Sequence, residues 1–274
     1  MVKISLITAT RNQASTIEET IRSVFAQSYT NIEYIIVDGE STDNTSEIVR
    51  TWEPRFGGRL KYIVESDNGV FEAINNGIMA ATGDIIGLVH ADDRLTGTSV
   101  LTTVAEAFES NSVDLVYGDV HFVESDNADK VLRYYSGEHF ERWMLRYGFA
   151  PPHPAMYCRR EVFDRCGLYR ENYKVAADFE MFARLLWIPR VKYMYLPLDM
   201  VAMRTGGIST RWGNRLLLNT FEKHKALREN GIRTSFLLLP LRYVLNMRHY
   251  FHKTRNRVEN RYDSELIIKY ESVE

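Results

Sequence analysis

The chain has 274 residues, of which 45% are hydrophobic and 12% aromatic, enough for one full-sized domain with a sizeable core and an appendage. This composition excludes large-scale disorder. Lys and Arg total 34 against 36 Asp and Glu, and the net charge of -2 gives no overall reason to expect a nucleic acid partner. Cys158 and Cys166 form no CxxC pair, which favours free thiols in a reducing cytosol over a disulfide or a metal site.

Apolar runs of strand type alternate with helical periodicities along the first part of the chain. The predicted strands are residues 4–8, 35–37, 60–64 and 85–89. Apolar residues recur at helical spacing between them, and Ser15 with Glu18 forms a capping-box pattern before the first helix. This alternation predicts a mainly parallel sheet that helices cover on both faces. Ligands of such sheets bind beyond the C-terminal ends of the strands.

The alternation weakens in the second half of the chain. Its predicted strands are short: residues 113–117, 120–123, 131–135 and 191–196. A helix is predicted at residues 177–187, and from Trp212 onward the pattern is helical without further sheet. We therefore expect a mixed α+β region followed by a helical appendage to one α/β domain.

Polar segments follow three of the predicted strands at residues 8–12, 38–43 and 90–93, and they should converge at one edge of the sheet. The first segment contains neither GxGxxG nor GxxxxGK[ST], which disfavours a dinucleotide-binding Rossmann enzyme and an NTPase. A carboxylate in the second segment could bind a base or ribose, although a turn with a helix cap also explains it. Adjacent carboxylates in the third segment repel each other unless a cation neutralises their charge. Mg²⁺ or Mn²⁺ would suit these oxygen ligands, and a solvated turn without a metal is the alternative interpretation.

Together these segments resemble the family 2 glycosyltransferases of the GT-A fold, the group that builds bacterial polysaccharides. The resemblance covers residues 1–210 and rests on four motifs in order: ISLITATRN, VDGESTD, DNGxxxAxNxGxxxAxGD and HADD. It implies an α/β fold of GT-A type with a mostly parallel central sheet, a mixed acceptor-side region and a C-terminal helical appendage. The corresponding divisions are a donor-binding part at 1–118, an acceptor-side part at 119–210 and a helical extension at 211–274.

The resemblance also implies which residues bind the nucleotide-sugar donor. These are Thr8, Ala9, Arg11, Asp38, Glu40, Asp67, Asn75, His90, Ala91 and Asp92. A divalent cation, Mn²⁺ or Mg²⁺, is expected on Asp92 and Asp93. Gly39 replaces a second Asp of the family pattern, so base reading is assigned to Asp38 with Glu40 as a helper. His90 replaces an Asp or Asn, so metal ligation rests mainly on Asp92 and His90 is expected to contact phosphate or ribose.

Segments downstream resemble the acceptor side of the same family. Asp178 matches the family's catalytic base, and the resemblance favours that role; without it, a charge that interacts with the helix dipole would be the preferred explanation. His153 and Glu180 are expected beside the acceptor. Gly206 and Gly207 resemble a loop that closes over the donor diphosphate, or form an ordinary turn.

The resemblance implies a single in-line displacement with inversion, with a UDP-sugar as the default donor and GDP- or dTDP-sugars as alternatives. The acceptor is expected to be a saccharide or lipid-linked hydroxyl in the synthesis of cell-surface polysaccharide or glycolipid. A sugar-1-phosphate nucleotidyltransferase should instead carry a Gly-rich basic loop after the first strand, where TATRNQ offers Arg11 alone as a cation. A non-catalytic carbohydrate-binding or scaffold protein would not need aligned carboxylates at strand ends.

The two termini give expectations about location. The N-terminus shows no basic segment followed by a long apolar stretch, so we expect no signal peptide and a cytoplasmic protein. Residues 234–258 mix apolar and basic side chains without any acidic residue, and the apolar run is too short to span a bilayer. We expect this segment to lie on an anionic membrane surface; packing against the catalytic domain or a second subunit of a homo-oligomer is the alternative.

Overall fold

A computed structural model of the chain describes residues 1–67, 69–187, 191–205 and 214–240. Its strands are β1 (Ile4–Thr10), β2 (Ile32–Asp38), β3 (Leu60–Val64), β4 (Ile85–Leu88), β5 (Arg94–Leu95), β6 (Leu115–Glu124), β7 (Asn127–Tyr135), β8 (Met156–Arg159) and β9 (Tyr193–Arg204). Its α-helices are α1 (Ile17–Phe25), α2 (Thr45–Trp52), α3 (Val70–Ala80), α4 (Val100–Ser110), α5 (Arg160–Cys166), α6 (Ala177–Trp187) and α7 (Asn214–Glu229). Short 3₁₀ helices lie at Glu53–Phe56, Arg142–Tyr147, His153–Ala155 and Phe236–Leu238.

Within these ranges nine strands form a single sheet in the order β3-β2-β1-β4-β8-β6-β9-β5, with β7 paired to β6. The strands β3, β2, β1 and β4 are parallel neighbours, and β6 is parallel to β9. The strands β8, β7 and β5 run antiparallel to their neighbours. The structure therefore confirms the predicted α/β fold with a mostly parallel sheet and a mixed second half.

Alternate side chains of the central strands enter two different cores, as the period of two in a strand requires. Leu6 and Ile36 pack in a cluster that contains residues of α1, α2 and α4. Ile7 and Val37 pack in a second cluster on the other face, with residues of α3 and α6. Because helices cover both faces, the central strands are buried throughout, and polar groups are exposed mainly at the strand ends.

Two local predictions were wrong. β6 is one strand of ten residues, whereas two strands at 113–117 and 120–123 were predicted. Gly118 lets β9 approach β6 closely, since a Cβ at this position would lie 2.6 Å from the Leu198 carbonyl oxygen. The first helix is not capped by Ser15, since Thr16 occupies the N-cap position without a side-chain cap bond. Thr16 instead donates from Oγ1 to the Ala91 carbonyl oxygen at 2.9 Å, which ties the start of α1 to the end of β4.

The described part of the C-terminal region packs against α6. Ala226 and Leu227 of α7, together with Ile232 and Leu239, belong to the same buried cluster as the apolar side chains of α6. The predicted boundary at residue 210 and the segment from residue 241 onward lie outside the described residues. None of the helices in the described ranges combines the length and the apolarity that crossing a membrane would require.

Candidate active site

Three segments that follow β1, β2 and β4 meet at one edge of the sheet, as predicted. Thr10 of β1 lies beside Asp38 of β2, and the Thr8 hydroxyl donates to the Val89 carbonyl oxygen at 2.7 Å. The turns after β1 and β2 are also joined directly. The Asn12 amide donates to Ser41 Oγ at 2.8 Å, and Asn12 Oδ1 accepts the Thr42 amide at 2.8 Å.

Backbone strain is concentrated in these two turns. Asn12 has φ 53° and Glu40 has φ 56°, both in the left-handed region that non-glycine residues rarely adopt. Residues in this region persist where surrounding contacts hold them, and they cluster at functional sites. The reciprocal bonds between Asn12 and the 41–42 backbone and side chain supply such contacts. The exposed Glu40 side chain and the exposed Arg11 side chain lie on these turns at the edge of the sheet.

Gly39 makes room for a carboxylate that comes from elsewhere in the chain. A Cβ at position 39 would lie 2.2 Å from Asp67 Oδ2 and 3.4 Å from Arg11 Cδ. The structure thus brings Arg11 and Asp67 together at the backbone of Gly39. The sequence assigned both Arg11 and Asp67 to donor binding. At Gly39, where the family pattern has a second Asp, the nearby carboxylate is that of Asp67.

Asp38, which the sequence assigned to base reading, is enclosed by protein groups. Its side chain is fully buried. Oδ1 accepts the Ser41 amide at 2.9 Å and the Ser41 hydroxyl at 2.6 Å, while Oδ2 accepts the Tyr62 hydroxyl at 2.5 Å and the Ser46 hydroxyl at 3.2 Å. Burial, reinforced by the hydrogen bond to Asp38, raises the pKa of Tyr62 to about 12, so the phenol remains a donor at neutral pH. Asp38 therefore organises the turn after β2 from inside.

Asn75, which the sequence assigned to donor binding, is buried and bonded to the segment after α5. Its Nδ2 donates to the Tyr169 carbonyl oxygen and to Glu171 Oε1, each at 2.9 Å, and its Oδ1 accepts the Tyr169 amide at 2.9 Å. Asn75 thus fixes α3 to the segment after α5. Thr8 is likewise fully buried, with its hydroxyl 2.9 Å from the Tyr34 hydroxyl, so it can offer backbone but no side chain to a ligand.

The residues after β4 present two carboxylates of different character. Asp93 is buried; its Oδ1 accepts the Arg204 amide at 3.2 Å, and its Oδ2 is buried without a hydrogen-bond partner. Burial, together with the neighbouring Asp92 carboxylate, raises the pKa of Asp93 well above its usual value. Asp92 is half-buried, and Ala91 is buried beneath it with its carbonyl oxygen bound to Thr16.

These two carboxylates fit a divalent cation of the hard type. The unpartnered Asp93 Oδ2 beside Asp92 is the kind of oxygen that Mg²⁺ or Mn²⁺ would satisfy. No group of three or more His, Cys, Asp or Glu side chains within the described residues is arranged around a metal position. A cation bound here would therefore take its other ligands from water and from substrate phosphates, as Mg²⁺ sites commonly do.

His90 connects the carboxylates after β4 with the start of α6. Its ring stacks on the ring of His153, with centroids 6.0 Å apart. Burial lowers the pKa of His90, and the carboxylates of Asp92 and Asp178 oppose that shift. Burial also lowers the pKa of His153, to about 4, against the pull of Asp178. Asp92 and Asp178 are therefore both close enough to His90 to act on its charge.

The start of α6 is fixed by a residue that sequence reasoning missed. The Glu222 carboxylate of α7 accepts the backbone amides of Lys174, Val175 and Ala176 at 2.8, 2.9 and 2.9 Å. Glu222 is buried, and these charge-assisted bonds hold the chain immediately before the half-buried Asp178. A single Glu in a helical pattern carries no sequence signal for such a contact, because its partners lie 46–48 residues away.

Glu180, which the sequence placed beside the acceptor, is paired with arginines inside the core. Its side chain is completely buried, and it forms ion pairs with Arg184 at 3.1 Å and Arg170 at 3.3 Å. Asn230 Nδ2 donates to the same carboxylate at 3.1 Å. Glu180 thus joins α6 to the segment before it and to the end of α7, with its charge neutralised in the core.

A cavity of about 430 Å³ opens beside Asp178 and His153. Its walls come from β6, β7, β9, the 3₁₀ helix at Arg142–Tyr147, the turn that contains Pro151, Pro152 and Pro154, α6 and α7. Among the residues predicted for the active site, Asp178 and His153 line this cavity, whereas Arg11, Asp67 and Asp92 do not. The predicted loop at Gly206 and Gly207 lies outside the described residues.

This arrangement is that of a glycosyltransferase, and comparisons with known proteins agree. Residues 5–167 match Glycosyl transferase family 2, and the chain belongs to this family. A PGL/p-HBAD biosynthesis glycosyltransferase of Mycobacterium bovis (strain BCG / Pasteur 1173P2) is 31% identical over 207 residues, which cover 75% of this chain and 78% of that protein. An uncharacterized glycosyltransferase of Nostoc sp. is 30% identical over 174 residues, which cover 60% of this chain and 53% of that protein.

Solved structures of glycosyltransferases share the fold. S. aureus TarS 1-349 in complex with UDP-GlcNAc matches with a TM-score of 0.61 and 19% identity, covering 83% of this chain and 65% of that one. The mannosyltransferase PcManGT from Pyrobaculum calidifontis, in complex with GDP-Man and Mn²⁺, matches with a TM-score of 0.60 and 18% identity, covering 91% and 81%. This chain thus spans slightly less than two thirds of TarS 1-349. At these identities the likeness establishes the fold, which is the GT-A fold expected from the motifs.

Proposed function

We propose that the protein transfers a sugar from a UDP-sugar to an acceptor hydroxyl, with inversion, in the synthesis of a cell-surface polysaccharide or glycolipid. The observation that carries this proposal is the stacking of His90, which adjoins Asp92 in the chain, on His153, which lines the same cavity as Asp178. Transfer needs a neutralised leaving group and a base for the incoming hydroxyl within one small site. This pair of carboxylates supplies a candidate for each task.

On the donor side, Asp92 and Asp93 would hold Mn²⁺ or Mg²⁺, which when bound supplies Lewis-acid stabilisation of the leaving diphosphate. Arg11, Asp67 and the exposed Glu40 lie at the same edge of the sheet and would contact the nucleoside and phosphates. The complex of PcManGT with GDP-Man and Mn²⁺ supports a divalent cation, and the complex of TarS with UDP-GlcNAc supports a nucleotide-sugar. His90 would face the same phosphates.

On the acceptor side, Asp178 would act as the general base. It lies in the first turn of α6, where the helix dipole favours a negative charge. The acceptor hydroxyl gives its proton to Asp178, its oxygen bonds to the anomeric carbon, and the bond from that carbon to the diphosphate oxygen breaks on the opposite face. General-base catalysis of this kind contributes roughly 10² to 10⁴ in rate.

We also propose that the protein works in the cytoplasm at an anionic membrane surface, where a lipid-linked acceptor would be found. Phe236 and Leu237, near the start of the basic and apolar segment of residues 234–258, are 41% and 81% exposed. Removing the residues after Ser235 should release the protein from anionic vesicles. A full-length protein that never binds such vesicles, or a truncation that dissociates a dimer, would favour packing or self-association instead.

The enzymatic proposal is tested by product analysis. The full chain is incubated with Mn²⁺ and either UDP-glucose or UDP-GlcNAc, with a bacterial lipid extract as acceptor, and release of UDP is measured. In parallel the chain is incubated with UTP and glucose 1-phosphate. Release of UDP with a β-linked product supports the proposal; release of pyrophosphate in the second reaction would identify a nucleotidyltransferase, and no release in either would favour a binding protein.

A further inference from the structure

The cavity beside Asp178 is walled mainly by apolar groups. Its volume of about 430 Å³ falls within the range of pockets that hold small organic ligands. The side chains that give it its character are Phe122, Tyr135, Phe140, Phe149, Phe179 and Met203. They come from three strands, two irregular segments and α6, so the cavity is built from distant parts of the chain.

The tyrosines of the wall have their hydroxyl groups bound elsewhere. The Tyr135 hydroxyl donates to the Ala150 carbonyl oxygen at 2.9 Å. The Tyr134 hydroxyl donates at 2.5 Å to Asp119, a buried carboxylate that also accepts the Gly137 amide at 2.8 Å and the Tyr195 hydroxyl. These tyrosines therefore contribute aromatic rings to the wall, and their hydroxyls are engaged in the protein.

The cations of the wall are held against aromatic rings. The Arg133 guanidinium lies 3.8 Å from the centre of the Phe122 ring. Lys223 Nζ lies 4.3 Å from the centre of the Phe179 ring and donates to the Gly148 carbonyl oxygen at 2.9 Å. Both cations already have partners in the wall, in contrast to a sugar-binding site, where several side chains must be available to the ligand's hydroxyls.

Asp178 contributes a carboxylate to the cavity wall. His153, beside it, has Nε2 2.8 Å from the Tyr169 hydroxyl, so this nitrogen is engaged within the protein. The His153 ring also stacks on the ring of His90, the residue expected to contact the donor phosphates. A ligand that fills the cavity would therefore place its hydroxyl at Asp178 and its apolar part among the rings.

We infer that the cavity binds an acceptor with an apolar, aryl or alkyl aglycone, rather than an unsubstituted saccharide. This inference rests on the proposed function, because it takes Asp178 as the point where the acceptor hydroxyl is activated. Aromatic rings and a methionine gain by removing apolar surface of such an acceptor from water. A bare saccharide would lose hydrogen bonds to water and find most of the polar groups named above already paired.

The test compares two glycosides that carry the same sugar. Phenyl β-D-glucopyranoside and methyl β-D-glucopyranoside are titrated into the full chain in the presence of UDP and Mn²⁺, and binding is followed by saturation-transfer NMR. We expect the phenyl glycoside to bind at least tenfold more tightly than the methyl glycoside. Equal affinities for the two, or tighter binding of the methyl glycoside, would overturn the inference.

A matched pair of variants locates the binding. Phe149→Ser changes an aromatic ring of the cavity wall, whereas Trp143→Ser changes an aromatic ring that is 52% exposed on the neighbouring 3₁₀ helix and does not line the cavity. Phe149→Ser should weaken phenyl glycoside binding at least fivefold and leave UDP binding unchanged, while Trp143→Ser should affect neither. If Phe149→Ser unfolds, Met203→Gln provides the same test with little change in side-chain volume. Unchanged phenyl glycoside binding in whichever of these two variants remains folded would contradict the inference.

Failure of the two proposals can be told apart. In one outcome no donor releases UDP, yet the phenyl glycoside binds selectively and loses affinity in Phe149→Ser. This outcome would support the cavity assignment and contradict the proposed transferase reaction. If UDP is released with transfer to the lipid extract but both glycosides bind with equal affinity, the proposed transferase reaction is supported and the aglycone inference is contradicted. The binding readout does not depend on turnover.

Discussion

The donor and acceptor sides of the site are built in different ways. On the donor side, the ends of the parallel strands β1, β2 and β4 bring polar segments together through neighbouring backbone, and several of their side chains stabilise the turns themselves. On the acceptor side, Asp178 depends on contacts from far along the chain, including Glu222 of α7. The donor edge therefore follows from the sheet topology, whereas the acceptor cavity depends on long-range packing.

Removing the divalent cation should give the largest effect and should affect the donor side first. We expect a chelator to abolish activity and Mn²⁺ or Mg²⁺ to restore it, because the paired carboxylates need a cation to bind a diphosphate. Asp92→Ala should cost more activity than Asp93→Ala. Calorimetric titration of UDP with and without Mn²⁺ provides the direct measurement, and full turnover in excess chelator would refute the metal assignment.

Asp178→Asn should separate the two sides. The amide keeps the shape of the carboxylate but cannot accept the acceptor proton, so we expect kcat to fall by about 10² or more while UDP binding with Mn²⁺ stays nearly unchanged. Asp164→Asn, on the exposed face of α5, is the matched control and should behave as the wild type. A near-normal kcat in Asp178→Asn would move the base to another group, with His153 as the nearest candidate.

Glu222→Gln should show that the acceptor side depends on α7. Replacing the charged acceptor of three backbone amides weakens bonds that are worth roughly 1.5–3 kcal/mol each when one partner is charged. We expect a lower melting temperature and a kcat reduced by about tenfold, with KM for the donor unchanged. Arg228→Gln, on the exposed side of the same helix, is the control. An equal loss of donor binding in Glu222→Gln would indicate general unfolding rather than misplacement of Asp178.

Glu33→Gln should affect stability alone, since Glu33 lies at the end of the sheet opposite the site. Burial by itself raises the pKa of Glu33, but hydrogen bonds from Ser5 and Thr82 outweigh it and lower the pKa to about 2. The ionised form therefore stabilises the fold above about pH 4.5, and this stabilisation is lost as the pH falls toward 2.

The expected contribution of Glu33 is about 1–3 kcal/mol after allowance for screening by solvent. The free energy of unfolding, measured with urea, should decrease more steeply for the wild type than for Glu33→Gln as the pH falls below 4.5. Donor binding at neutral pH should be the same in both proteins. Parallel pH dependences of the two unfolding free energies would contradict the assignment.

The sequence predicted the strands of the first half and the meeting of their polar ends well, because apolar runs and turn residues are local signals. It also named Asp92, His90, His153 and Asp178, which the structure brings close together. It could not predict the direction of a side chain. Asp38, Asn75 and Glu180 stand at the expected places along the chain, but each is held inside by residues distant in sequence, such as Tyr62, Tyr169 and Arg170.

The space at Gly39 has a consequence for how this site can change. Position 39 and position 67 share one small volume, since a Cβ on Gly39 would displace the Asp67 carboxylate. An acidic side chain introduced at position 39 would therefore lie close to the charge of Asp67. A side chain larger than hydrogen at position 39 would be tolerated only with a smaller or displaced side chain at position 67. The two positions form an epistatic pair: the effect of Gly39→Asp depends on whether Asp67 is retained or replaced by a smaller, neutral residue.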